Sequence, residues 1–223
     1  VELKYQTREE ISNETYLGLT LDDFRADPYR RYDASTDDQF NGENELFQLT
    51  HRIDLSPDLS LTTIAYHHDF ARNWYKLQGI NSGGTGASGD VSISSVLADP
   101  VTYAAEYDLA VGTASLDNSI VYRANRRAYY SEGVQSVLNW KTAFGGIDHD
   151  LTIGARIHQD EEDRFQEEDA YRLDGGQLVL TAAGATGSQA NRISSGEALA
   201  LFVQDKFTIG RLSVTGGARF EDY

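Results

Sequence analysis

Residues 197–223, EALALFVQDKFTIGRLSVTGGARFEDY, alternate apolar and polar side chains on both arms of a tight hairpin. Leu212, Val214, Gly216, Ala218 and Phe220 share one face of the second arm, and Ser213, Thr215, Gly217, Arg219 and Glu221 the other. In the first arm Leu199, Leu201, Val203, Phe207 and Ile209 share a face that Asp205 interrupts. A period of two is compatible with a strand that has one apolar and one polar side, and with no helix. Gly210-Arg211 forms the corner, with Gly where a type II′ turn requires positive φ. Arms of about 9–11 residues are long enough to cross a bilayer as tilted barrel strands.

The same plan extends upstream. Strands are expected at residues 1–8, 44–55, 59–77, 133–144 and 149–164, ahead of the closing pair, with a small strand at 177–182. In the third, Leu59 and Leu61 follow one register and Ile64, Tyr66 and Phe70 the other, which a bulge would reconcile. Ser56-Pro57-Asp58, Gly145-Gly146 and Gly210-Arg211 are tight turns, whereas 9–43, 79–132 and 173–195 are long connections. In the first of these Thr20 is placed to cap a short helix at 21–26 that Pro28 ends. Residues 81–89 are Gly/Ser-rich and read as a mobile loop. Strict long–short alternation puts all short turns at one end. The expected fold is therefore all-β, an antiparallel up-and-down transmembrane β-barrel segment of about seven strands. A carbohydrate-binding β-sandwich is the alternative; it has no reason to gather its long loops at one end.

No apolar run reaches the length of a transmembrane helix, but barrel strands alternate and leave only a weak hydropathy signal. The 223 residues carry 19 Lys and Arg against 35 Asp and Glu, a net charge of −16, which argues against nucleic acid as a partner. There is no cysteine, so neither a disulfide framework nor a thiolate metal site is available. No nucleophile elbow, zinc-protease motif or phosphate-binding loop occurs, and no enzyme is expected. The chain opens and closes inside strands, as an internal piece of a longer protein would.

TYLGLTLDDFRADPYRRY (15–32), DFARNWYKL (69–77), GVQSVLNW (133–140), HQDEEDRFQEEDAYRLDGG (158–176) and ALFVQDKFTIG (200–210) together resemble the barrel of TonB-dependent receptors, most of all the ferric dicitrate receptor-like branch. The resemblance implies a barrel of about 22 strands with a plugged lumen. It also implies a Gram-negative outer membrane and its lipid as surroundings, and a transported Fe(III) chelate, such as a siderophore or ferric citrate, with no resident cofactor. Uptake would be powered by the TonB complex acting through a plug and TonB box. Neither is found here, so residues 1–223 are expected to be an incomplete barrel domain.

Positive charge clusters toward the long-loop end. Arg25, Arg30 and Arg31 fall in the first long connection, Arg72 and Lys76 flank Trp74 on one face of the third strand, and Arg123, Arg126 and Arg127 fall in the second long connection. Arginine binds carboxylates with a two-pronged fork, so these residues are the candidate chelate site. The competing reading pairs them with the abundant carboxylates of the same loops. Trp74, Tyr75, Trp140, Phe144 and Phe207 read as girdle aromatics, with stacking on a ligand as the alternative. Neighbouring His67 and His68 point to opposite faces of a strand and cannot share a metal. His158, Asp160 and Glu162 share a face that offers oxygen ligands of the kind calcium takes; the alternative is a simple solvated strand tip.

Overall fold

Eight strands join in one antiparallel sheet, described over residues 1–87 and 91–223 in a computed structural model. They are β1 (Glu2–Ser12), β2 (Gln39–Ser56), β3 (Leu59–Ile80), β4 (Ile120–Phe144), β5 (Ile147–Asp174), β6 (Gln177–Ala182), β7 (Ala190–Ile209) and β8 (Leu212–Asp222). The order is β1-β2-β3-β4-β5-β7-β8, each strand beside its neighbour in the chain, with β6 paired to the upper part of β5. A single sheet in this order is a section of an up-and-down barrel wall and excludes the two packed layers of a sandwich. Among the described residues β1 pairs only with β2 and β8 only with β7, so both flanks of the sheet offer unpaired backbone.

Three two-residue turns, 57–58, 145–146 and 210–211, close one end, and the long connections close the other. At Gly210 φ is +61° while Arg211 keeps a negative φ, which is the type II′ turn expected there. Gly145 and Gly146 both have positive φ, the requirement of type I′.

The strands run much further into the long-loop end than hydropathy suggests. β1 continues to Ser12, β2 starts at Gln39, β4 at Ile120, β7 at Ala190, and β5 continues to Asp174. Arg123, Arg126 and Arg127 therefore lie in β4, not in a loop, and the acidic run 160–169 lies within β5. The cause is that ladder hydrogen bonds need only a partner strand, whereas apolar alternation stops where the apolar band stops. The bulge expected between Leu61 and Ile64 is absent: pairing of β3 with β4 is continuous from Leu59 to Leu77. Ile64, Tyr66 and Phe70 simply belong to the polar face.

Helices α1 (Leu21–Ala26), α2 (Ile93–Ala98) and α3 (Ala104–Val111) sit in the long connections. Thr20 caps α1, its hydroxyl accepting from the Asp23 amide. α2 and α3 are too short for a periodicity signal. They help build a small core over the upper strands from Ala34, Leu77, Ile80, Leu109, Ile120, Tyr122 and Leu173. Tyr122 is fully buried, and its hydroxyl donates to the Ala34 carbonyl at 2.9 Å. Of the stretch 81–89, residues 88 and 89 lie outside the described residues; before them the Asn81 side chain accepts from the Gly83 amide at 2.8 Å.

Candidate functional site

Cross-strand partners share a face, so register sorts every strand residue onto one of two surfaces. The apolar surface carries Leu49, Ile53, Leu61, Leu138, Ile153, Leu201 and Val203 side by side. From Leu151 to Ile157 this band runs about 20 Å along the strand, at about 3.3 Å per residue. Trp140, Phe144 and Phe207 edge it at the short-turn end, as girdle residues do. Trp74 and Tyr75 do not: Trp74 lies on the polar face, and Tyr75 packs on Tyr122 in the loop core. Asp205 interrupts the band, and its carboxylate meets His149 Nδ1 at 2.7 Å.

The polar surface collects the basic residues. Among the described strand residues, Arg126 is the one Lys or Arg on the apolar-face register; the others, from Lys4 to Arg219, fall on the polar face. Register then produces an arrangement invisible along the chain. Arg72 lies opposite Arg127, Arg127 opposite Arg164, and Arg164 opposite Arg192. Four guanidinium-bearing residues thus form a row across β3, β4, β5 and β7, about 15 Å long from the spacing of adjacent strands. Like charges directly opposite destabilise a sheet. The row's internal relief is one carboxylate: Glu162 Oε1 accepts from Arg127 Nη1 and from Arg164 Nε, each at 2.9 Å.

An aromatic wall stands next to the row on the long-loop side. Tyr16, from the first long connection, packs on Trp74 with ring centroids 4.1 Å apart, and Phe40 meets Trp74 edge-on at 5.6 Å. Lys76 Nζ sits 3.9 Å from the Tyr16 centroid and 5.6 Å from that of Trp74, a cation over aromatic faces. Among the described residues Trp74 Nε1 is buried without a hydrogen-bond partner. Lys76 and Arg123 are cross-strand partners, and Arg123 is held by Glu168 at 2.5 Å. Toward the short turns, Tyr66 Oη receives Arg156 Nη2 at 2.6 Å and lies 2.6 Å from His158 Nδ1. The Tyr66 ring occupies the space over Gly133, where a Cβ would come within 2.6 Å of its hydroxyl.

The loop arginines are engaged locally. Arg25 lies 3.6 Å from Asp22, one turn away on α1. Arg30 donates to Asp23 Oδ1 at 2.7 Å. Arg31 donates to the carbonyls of Asn13, Ser35 and Asp38 and so pins the connection to itself. Asp23 is the hub of this region. Its Oδ2 accepts from Tyr107 Oη at 2.5 Å, Tyr32 Oη at 2.6 Å and Thr20 Oγ1 at 2.8 Å, tying the first long connection to α3 in the second. The Tyr107 and Tyr32 hydroxyls, more than Arg30, hold the Asp23 carboxyl down at about 2, and burial beside that carboxylate pushes the Tyr107 phenol up to about 12.

Of the candidate residues, Arg72, Trp74, Lys76, Arg123 and Arg127 come together on the polar face. Arg126 faces the other way, paired with Glu167. Arg25, Arg30 and Arg31 stay in the loop. The other candidate arginines thus have acidic or carbonyl partners nearby, and Arg72 is the exception, with none among the described residues. Arg164, Arg192 and Tyr16 escaped sequence reasoning; only register places the first two beside Arg72 and Arg127. Glu162 is held by arginines and His158 by Tyr66. Among the described residues no three His, Asp or Glu converge as metal ligands. His67 bridges Glu132 and Asp69, while His68 lies 2.7 Å from Asn44 on the opposite face.

The family described as TonB dependent receptor-like, beta-barrel, matches residues 5–223. Among solved structures, the ferric citrate transporter FecA in the unliganded form superposes with a TM-score of 0.66 at 19% identity, covering 98% of this chain and 26% of that one. The ferric-catecholate import receptor Fiu from E. coli K12, in its open form, gives a TM-score of 0.59 at 12% identity, covering 98% of this chain and 33% of that one. Comparison with curated proteins returns no match. The chain therefore spans about a quarter to a third of the length of these two structural relatives.

Proposed function

The chain belongs to the TonB-dependent receptor β-barrel family, and from that premise we propose that it lines the mouth of an outer-membrane receptor taking up an anionic Fe(III) chelate. Such receptors are transporters and not enzymes. In that setting the apolar face meets lipid and the polar face meets the lumen. Residues 1–223 contribute part of the barrel wall; a plug and TonB box elsewhere in the parent protein couple it to the TonB complex.

One observation carries the ligand assignment: the row Arg72, Arg127, Arg164 and Arg192 on the lumen face of a chain that is otherwise strongly acidic. A carboxylate-rich chelate of the ferric citrate class fits this row, because guanidinium forks bind carboxylates bidentately. The Tyr16–Trp74–Lys76 wall supplies a rim on the side from which a ligand arrives. Of the loop residues, Arg25, Arg30 and Arg31 shape the mouth, and Arg123 extends the positive surface above the row.

The test is a titration of the folded, detergent-solubilised parent receptor with ferric citrate at two salt concentrations. Replacing Arg72 and Arg127 together with Ala is expected to weaken binding by several kcal/mol, at about 1.5–3 kcal/mol per charged hydrogen bond. Arg126→Ala, on the outer face, is expected to leave binding unchanged. Equal affinity in the double variant and the wild type would refute the assignment.

A further inference from the structure

Four arginines in one cross-strand row need more negative charge than the sheet supplies. Glu10, the β1 carboxylate nearest in register, lies opposite Gly42 and bonds Arg8 at 2.5 Å. Asp160 leans toward His158 at 3.5 Å, and Glu168 holds Arg123. That leaves Glu162. It sits one residue row toward the short turns, beside Tyr129, and reaches back so that one oxygen serves both Arg127 and Arg164. Arg72 and Arg192, at the two ends of the row, have no hydrogen-bond or ion-pair partner among the described residues, and Arg192 is exposed.

This is the geometry of a carboxylate ligand already in place, supplied by the protein. We propose that Glu162 is an internal stand-in for the chelate: it occupies the Arg127–Arg164 pair when the lumen is empty, and a carboxylate of the ligand displaces it. The inference rests on the chelate reading and adds a regulating residue to the same site. Displacement has two consequences. Glu162 prevents unopposed repulsion in the empty barrel, and it rejects anions too weak to compete. A ligand with several carboxylates succeeds because it also engages Arg72 or Arg192, which Glu162 does not reach. An internal anion that holds the pair about nine-tenths of the time lowers apparent affinity about tenfold, since only the free fraction binds.

The experiment compares wild-type parent receptor with Glu162→Gln and Arg192→Ala, each folded in detergent, by calorimetric titration with ferric citrate and separately with metal-free citrate. Glu162→Gln keeps the shape and removes the charge, so it is expected to bind at least one probe about tenfold more tightly; Arg192→Ala is expected to bind it several-fold more weakly. If Glu162→Gln fails to fold, Glu162→Asp, one methylene too short to reach both guanidiniums, is expected to shift affinity in the same direction. If Glu162→Gln gains affinity for metal-free citrate while no form takes up ferric citrate, the chelate reading falls and the displacement mechanism stands. If the folded Glu162 variant binds neither probe more tightly than wild type, displacement is overturned, whether or not ferric citrate binds.

Discussion

Tyr107→Phe removes a single oxygen from the hub that joins the two long connections. The hydroxyl donates to Asp23 Oδ2 at 2.5 Å, and the same carboxylate also receives Tyr32, Thr20 and Arg30. A hydrogen bond to a charged group is worth about 1.5–3 kcal/mol net. Tyr107 is half-buried, so the lower end applies, about 1.5 kcal/mol, or close to tenfold in a local opening equilibrium. Tyr32→Phe should cost about 3 kcal/mol, because Tyr32 is fully buried and its oxygen also accepts the Thr20 amide at 2.9 Å. Hydrogen exchange on the folded parent receptor reads both. The informative amides are Phe24 on α1, Asp27 at its C-cap and Tyr107 on α3, which bond to Thr20, Asp23 and Tyr103. If the hub makes the connections one unit, Tyr107→Phe accelerates exchange about tenfold on both helices. Acceleration confined to α3 would refute the coupling. The pH dependence has a definite sign. The Asp23 carboxyl lies below its ordinary value of 3.8, at about 2, so its contribution is complete above about pH 4 and is lost as pH falls toward 2. The Tyr107 phenol is raised from 10 to about 12, so its contribution is complete below pH 10 and lost as pH rises toward 12. Between those limits exchange should show no titration from this hub.

Two further outcomes test the assignment of faces and the close packing of Tyr66 on Gly133. Leu138→Arg, in the middle of the apolar band, should cost about 2–4 kcal/mol in reversible folding of the parent receptor into vesicles, while Gln135→Arg on the lumen face should cost far less; equal costs would contradict the two-sided assignment. Gly133→Ala brings a Cβ within 2.6 Å of both the Ile157 carbonyl and the Tyr66 hydroxyl, and should destabilise the same folding equilibrium by about 1–3 kcal/mol, with Tyr66→Ser restoring part of the loss if the ring is the obstacle.

Much of the architecture is written locally. Alternation in 197–223, the glycines at 145, 146 and 210, and Pro57 determine strand character and turn position, because side-chain period and φ are properties of neighbouring residues. Thr20 with Asp23 likewise specifies where α1 begins. The long–short rhythm of connections orders the sheet. Other features depend on what lies across the ladder. The upper strands keep their hydrogen bonds where alternation has faded, so Arg123, Arg126 and Arg127 look like loop residues until β5 is placed beside them. One residue of register puts Arg126 on the apolar face and Arg127 on the polar face. Arg164 and Arg192 stand far from Arg72 in the chain and become its neighbours in the row only through three strand pairings. Sequence by itself determined a two-faced sheet with its loops at one end; the tertiary structure alone decided which charges meet. The physical reason is that a strand's faces follow from a period of two along the chain, whereas electrostatic contact follows from a spacing of about 5 Å between strands that only pairing creates.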